Sequence, residues 1–281
     1  MPRPPRLVET RPTGHGRARG LVSSRQSGRR VGSRTYAPSA DLAPFVAAYW
    51  TGQWDLTGQP PHVTELIGDP CIHLVVEEGG PHAGARVVGV WTRLWRRTLE
   101  GRGRVFGVKL RAGGIRAFTR SSASHYQNHI IPLEEALGGA AQLEREVLSQ
   151  HDDARAFEAF ETWMRERRLP GTDERIGLAA ALVDHIARSP ELLTVEQLAT
   201  ESGLGIRELQ RLFRDYVGAS PKWTLRRFRL QEVALRIERG EAPNLARLAA
   251  DLGYVDQAHL ARDFKAAVGK SPSAFAAGVE G

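Results

Sequence analysis

The chain has 281 residues, 41% hydrophobic and 25% charged, a composition of ordinary globular protein with room for one large or two ordinary domains. Its single cysteine, Cys71, excludes an intramolecular disulfide framework and a thiolate zinc cluster. The net charge of +7 is unevenly placed, because residues 1–34 hold nine arginines against one acid, Glu9, and the other 247 residues sum to about −1.

That basic stretch is rich in Gly, Pro and Ser and has no hydrophobic period. It cannot recover the entropy of ordering, which predicts a disordered tail over residues 1–34. No run approaches the ~18 apolar residues that span a bilayer, and the first residues lack the apolar stretch of a signal peptide. The expectation is a cytoplasmic protein with no membrane partner.

From Tyr36 to about Leu137, short β-rich segments alternate with Gly and Pro. Strands are predicted over Phe45–Thr51, Cys71–Glu77, Ala85–Trp91, Arg97–Leu99 and Arg104–Arg111. Ile72, Leu74 and Val76 alternate with His73, Val75 and Glu77, as in a strand with two different faces. These segments suit a small antiparallel barrel or sandwich, with a short helix over Gly113–Arg120. Gly101, Gly103 and Gly107 read as hairpin residues rather than a phosphate loop. His62, His73 and His82 form no His-x-His set with a following Glu, so no metal site is predicted. No nucleophile elbow is present, and the sequence predicts no catalytic centre and no cofactor.

Residues 132–168 turn helical. Pro132 opens the stretch, and Phe157, Phe160, Trp163 and Met164 form an aromatic stripe at three- and four-residue spacing. That stripe either packs on the β domain of its own chain, the preferred reading, or forms a dimer face. Leu169, Pro170 and Gly171 break the helix and predict a boundary between a domain over 35–168 and another over 172–281. The expected class is therefore α+β: a β-rich barrel or sandwich with a helical extension, followed by an all-α domain.

The second domain contains an internal repeat. Thr194 to Gly218 recurs as Asn244 to Gly269: Leu198, Ala199 and Gly203 match Leu248, Ala249 and Gly253. Leu209, Arg211, Phe213, Gly218 and Pro221 match Leu260, Arg262, Phe264, Gly269 and Pro272 one residue further along. Each copy reads as a short capped helix, a turn at glycine, and a second helix with one apolar stripe, which is a helix-turn-helix. Between them, Pro221 to Gly240 predicts one continuous helix of roughly 27 Å at 1.5 Å per residue. Successive major-groove faces on one side of B-DNA recur at about 34 Å, so such a rod can present two reading helices to one duplex.

The second helices carry suitable chemistry. Arg207, Gln210 and Arg211 on one, and Asp256, Gln257, His259 and Arg262 on the other, are the candidates for base contact. Residues 205–229 hold seven Lys or Arg against two acids, although residues 172–281 balance at fifteen each. Lys222, Arg226, Arg227 and Lys270 are the candidates for phosphate contact.

The run Ala250–Lys265, ADLGYVDQAHLARDFK, closing in Gly269-Lys270-Ser271-Pro272, resembles the signature of the AraC/XylS family of transcriptional regulators. Leu260 departs from the family's usual Phe. The resemblance covers about the last 110 residues. It implies a seven-helix domain with two helix-turn-helix units that read adjacent major grooves of double-stranded DNA, with RNA polymerase as a candidate partner. Pro70–Glu77 and Thr98–Leu110 resemble a sensor domain common in actinobacterial members of that family. This implies control by a small effector, in a monomer or homodimer. The chain departs from that pattern at Arg111–Ile115 and at Gln127–His129. Two other readings fit the same residues: a redox- or alkylation-responsive regulator receiving its signal at Cys71, with His73 beside it, and an enzyme in the β domain with DNA binding secondary.

Overall fold

The structure, a computed structural model, describes residues 31–171, 173–241 and 244–280. The predicted tail lies outside the described residues up to position 30; from Val31 the chain is already strand. Eight strands and ten α-helices follow in these residues. β1 (Val31–Tyr36), β2 (Val46–Asp55), β4 (His73–Glu78), β5 (Gly84–Val88), β7 (Arg102–Leu110) and β8 (Ile130–Pro132) form an antiparallel sheet in the order β1-β2-β7-β4-β5-β8. β3 (His62–Ile67) and β6 (Leu94–Leu99) pair as a separate ribbon.

Strand alternation gives this sheet two different faces. Tyr49, Phe106, Leu74 and Val108 point to one face, against helices α1 (Leu133–Leu137), α2 (Ala140–Leu148) and α3 (Asp153–Arg167). Phe157 of α3 stacks on Tyr49 with ring centroids 4.9 Å apart and meets Phe106 edge-on at 5.8 Å. The aromatic stripe of α3 is therefore core of its own chain: Phe157, Phe160, Trp163 and Met164 are all buried.

The opposite face is covered by the ribbon. Trp54, Val75, Val88 and Val105 of the sheet pack with Leu99 and Trp95 of β6. Gly103 and Gly107 belong here and not in a hairpin as expected. They lie within β7 directly opposite Trp54 and Trp50, and a Cβ on either would fall 2.3 or 2.1 Å from the facing indole ring. Of the three glycines, only Gly101 turns the chain, with φ +59°. Glu77, 1% exposed, is held on this face by both Arg86 and Arg97.

The predicted helix over 113–120 is a single 3-10 turn, Gly114–Ala117, and a second such turn spans Ala123–Tyr126. The all-α part contains α4 (Glu174–Arg188), α5 (Val195–Ser202), α6 (Ile206–Leu212), α7 (Pro221–Glu238), α8 (Leu245–Asp251), α9 (Gln257–Val268) and α10 (Pro272–Glu280). The chain break at 169–171 is present, but it does not divide the core. One buried cluster runs from Tyr36 through the β domain and α3 into α4, α5, α6 and Leu225 of α7. The second helix-turn-helix builds a cluster of its own around Leu248, Leu260, Phe264 and Phe275.

Candidate nucleic-acid interface

Each helix-turn-helix is set by local chemistry. Thr194 accepts from the Gln197 amide while the Gln197 side chain accepts from the Thr194 amide, a reciprocal cap that starts α5. Gly203 ends α5 at φ +69°, a left-handed turn that favours glycine. α6 then runs from Ile206 and loosens into a π-turn over Phe213–Val217 before stopping at Gly218. Asn244 caps α8, Gly253 turns the chain at φ +67°, and Asp256 caps α9. Ser220-Pro221 and Ser271-Pro272 start the helix after each copy. α7, 18 residues long, connects the two units.

On α6, Leu209 and Leu212 face the core while Arg207, Gln210 and Arg211 are exposed, with no side-chain partner among the described residues. On α9, Leu260, Phe264 and Val268 are buried, and Gln257 and Arg262 are exposed and similarly unengaged. Lys222 and Lys270 are also exposed. These seven of the eleven candidates lie open to solvent on the helix-turn-helix units and α7.

The other four are engaged within the protein. Asp256 accepts the His259 amide at 2.6 Å as the helix cap. The His259 ring meets Tyr254 edge-on at 5.2 Å, and its Nε2 lies 3.9 Å from Asp263. Arg226 donates to Asp263 at 2.7 Å, tying α7 to α9. Arg227, expected on a phosphate, is 4% exposed and turned into the β domain, so it is not open to DNA in this conformation. Its Nε donates to the Gly68 carbonyl, and its guanidinium lies 3.9 Å from Asp69. Burial draws its pKa down to about 10, against the pull of Asp69, which leaves it charged at neutral pH.

Asp69 is the centre of this junction. It accepts from Lys109 at 2.8 Å and from Gln231 at 2.6 Å. Burial opposes its charge, but Lys109 and Arg227 outweigh that and hold its pKa below the ordinary carboxylate value. Trp223 donates to the Thr92 carbonyl at 3.4 Å, so Trp223, Arg227 and Gln231, four residues apart on α7, form one stripe against the β domain. The periodicity was visible in the sequence, but the acid that receives it lies over 150 residues away.

Cys71 and His73 sit beneath this junction. Cys71 Sγ is 3.4 Å from His73 Nε2, and Trp50 Nε1 donates to His73 Nδ1 at 3.1 Å. Burial raises the thiol to about 12 and lowers the imidazole to about 4. Both groups are therefore neutral at pH 7. Among the described residues, no cluster of His, Cys, Asp and Glu could hold a metal ion, and no helix is long and apolar enough to cross a membrane.

Two family models match the chain: one described as a helix-turn-helix domain, over residues 198–278, and one described as a domain of unknown function (DUF6597), over residues 34–132. No curated protein matches the sequence. Among solved structures, ToxT from Vibrio cholerae is similar at 11% identity and a TM-score of 0.40, over 90% of this chain and 100% of its own. ToxT bound to (E)-4-(8-methylnaphthalen-1-yl)but-3-enoic acid gives 9% and 0.41, over 89% and 100%. The AraC-like transcriptional activator CuxR gives 13% and 0.28, over 80% and 86%. Overlaps this loose carry no argument about the site. The match over residues 198–278 spans both helix-turn-helix units and shows a DNA-binding helix-turn-helix domain there, and the signature in the second unit is similar to that of the AraC/XylS regulators.

Proposed function

We propose that the protein binds one duplex through two successive major grooves, α6 entering the first and α9 the second. The carrying observation is the set of five exposed, unengaged side chains on the reading helices: Arg207, Gln210 and Arg211 on α6, Gln257 and Arg262 on α9. Arg and Gln are the side chains that pair bidentately with guanine and adenine edges. Lys222, Lys270 and Arg226 meet phosphates in this reading, Arg226 after release from Asp263. In this reading the protein works in the cytoplasm, as a monomer or homodimer, with RNA polymerase as a further partner.

The β-rich domain is read as the controlling part, answering a small ligand. Its support is the junction at Asp69, through which this domain grips α7, the helix that sets the two reading helices apart. The Cys71 reading is disfavoured, since a buried thiol raised to about 12 is a poor receiver for oxidants and alkylating agents.

Methylation-protection footprinting of the full chain on its selected site tests the main reading. Two protected major-groove patches one turn apart on the same side are expected. Arg211→Ala should weaken specific binding by about 1–3 kcal/mol. An unchanged footprint at unchanged affinity in that variant would count against α6 as a reader.

A further inference from the structure

α9 offers a duplex less polarity than its sequence suggests. Asp256 is committed to the helix cap at 2.6 Å, and the His259 ring is held between Tyr254 and Asp263. Asp263 is in turn held by Arg226 at 2.7 Å. Opposite the buried row of Leu260, Phe264 and Val268, the outward row of this unit is Val255, Ala258, Arg262 and Lys265, all exposed. Val255 is 88% exposed, the highest figure among the exposed large apolar residues described.

Its position gives that exposure a use. Val255 directly precedes the cap of α9, and the N-terminal end of a reading helix is the part that meets base edges. Packing within the chain does not account for an isopropyl group left in water there. In the major groove, the group that rewards apolar contact is the C5-methyl of thymine. Ala258, one turn on, adds no bulk and lets the backbone approach, while Arg262 and Lys265 follow on the same exposed row. α6 contrasts with this: Ile206 is 40% exposed but stands beside Arg207, Gln210 and Arg211, so its surface is dominated by hydrogen-bonding groups. We infer that Val255 reads a thymine methyl in the half-site occupied by α9, adding an apolar contact to the hydrogen bonds of Gln257 and Arg262.

This rests on the proposal that α6 and α9 are the reading helices, and the experiment separates the two. The full chain is used to select its site from random duplexes. Each thymine of that site is then replaced singly by uracil, which removes the methyl and keeps the pairing. Uracil at one thymine of the α9 half-site is expected to weaken binding about four-fold, the value of burying one methyl group. In Val255→Ala, with its melting temperature checked against the native chain, that penalty is expected to vanish. The inference is overturned if no thymine of that half-site responds, which would leave Val255 to a protein partner, or if the response persists undiminished in Val255→Ala. If no sequence is selected, or only one groove is protected, the two-groove reading itself fails and the inference falls with it.

Discussion

Replacing Asp69 with alanine takes the facing carboxylate away from a buried cation. Asp69 is the carboxylate 3.9 Å from Arg227, and it also receives Lys109 and Gln231 at 2.8 and 2.6 Å. Lys109 is 32% exposed and can turn to water, whereas Arg227 is 4% exposed and its charge stays buried. Breaking a buried pair from one side costs about 3–5 kcal/mol, because the remaining charge stays desolvated. Removing both charges costs less, since the desolvation penalty goes with them. Equilibrium unfolding of the full chain in urea, followed by far-ultraviolet circular dichroism, should therefore place Asp69→Ala about 3–5 kcal/mol below the native chain. The double variant Asp69→Ala/Arg227→Met should recover part of that loss, giving a coupling energy well above the ~0.5 kcal/mol scatter of independent sites. A loss below about 1 kcal/mol in the single variant, or strict additivity in the double, would refute the junction as the attachment of α7.

The buried groups beneath the junction give two further expectations. His73 has its pKa lowered to about 4, first by burial and then by Lys109, with Asp69 opposing. The unfolded chain takes up this proton near pH 6.5 and the folded chain does not, so stability is complete above pH 6.5 and falls as pH drops towards 4. The loss is up to about 3 kcal/mol. Urea midpoints across that range should show the slope in the native chain and not in His73→Gln; equal slopes would assign the loss to other groups. For Cys71, iodoacetamide at pH 8 should leave the folded chain unmodified by mass and label it readily in urea, since the buried thiol is raised to about 12. Rapid labelling of the folded chain would revive the alkylation-sensor reading.

Much of the DNA-binding architecture was legible in the sequence because its signals are local. Thr194 with Gln197, Asn244, Gly203, Gly253 and the two Ser-Pro steps each act within one turn of chain, and the helices stand where these residues place them. The β domain was less legible for a corresponding reason. β3 carries Glu65 in its middle and no apolar alternation announces it, and of β6 only Arg97–Leu99 was predicted, since Arg96 and Arg97 interrupt the rest. Gly103 and Gly107 looked like turn residues because the indole rings they accommodate, Trp54 and Trp50, arrive from a strand about fifty residues earlier.

The sharpest instance is the pair Arg226 and Arg227. Composition and local charge make them the same residue, and both were candidates for a phosphate. On a helix, neighbours are separated by about 100°, so one step decides what each one faces. Arg226 is 47% exposed and holds Asp263 across to α9; Arg227 is 4% exposed and meets Gly68 and Asp69 of the β domain. The phase that separates them could be read from the stripe Trp223, Arg227 and Gln231. The side to which that stripe belongs could not, because an Arg and a Gln at helical spacing fit a solvated face as well as a docked one. Only Asp69, an acid that burial alone would disfavour and that its cations keep ionised, turns the stripe into a contact.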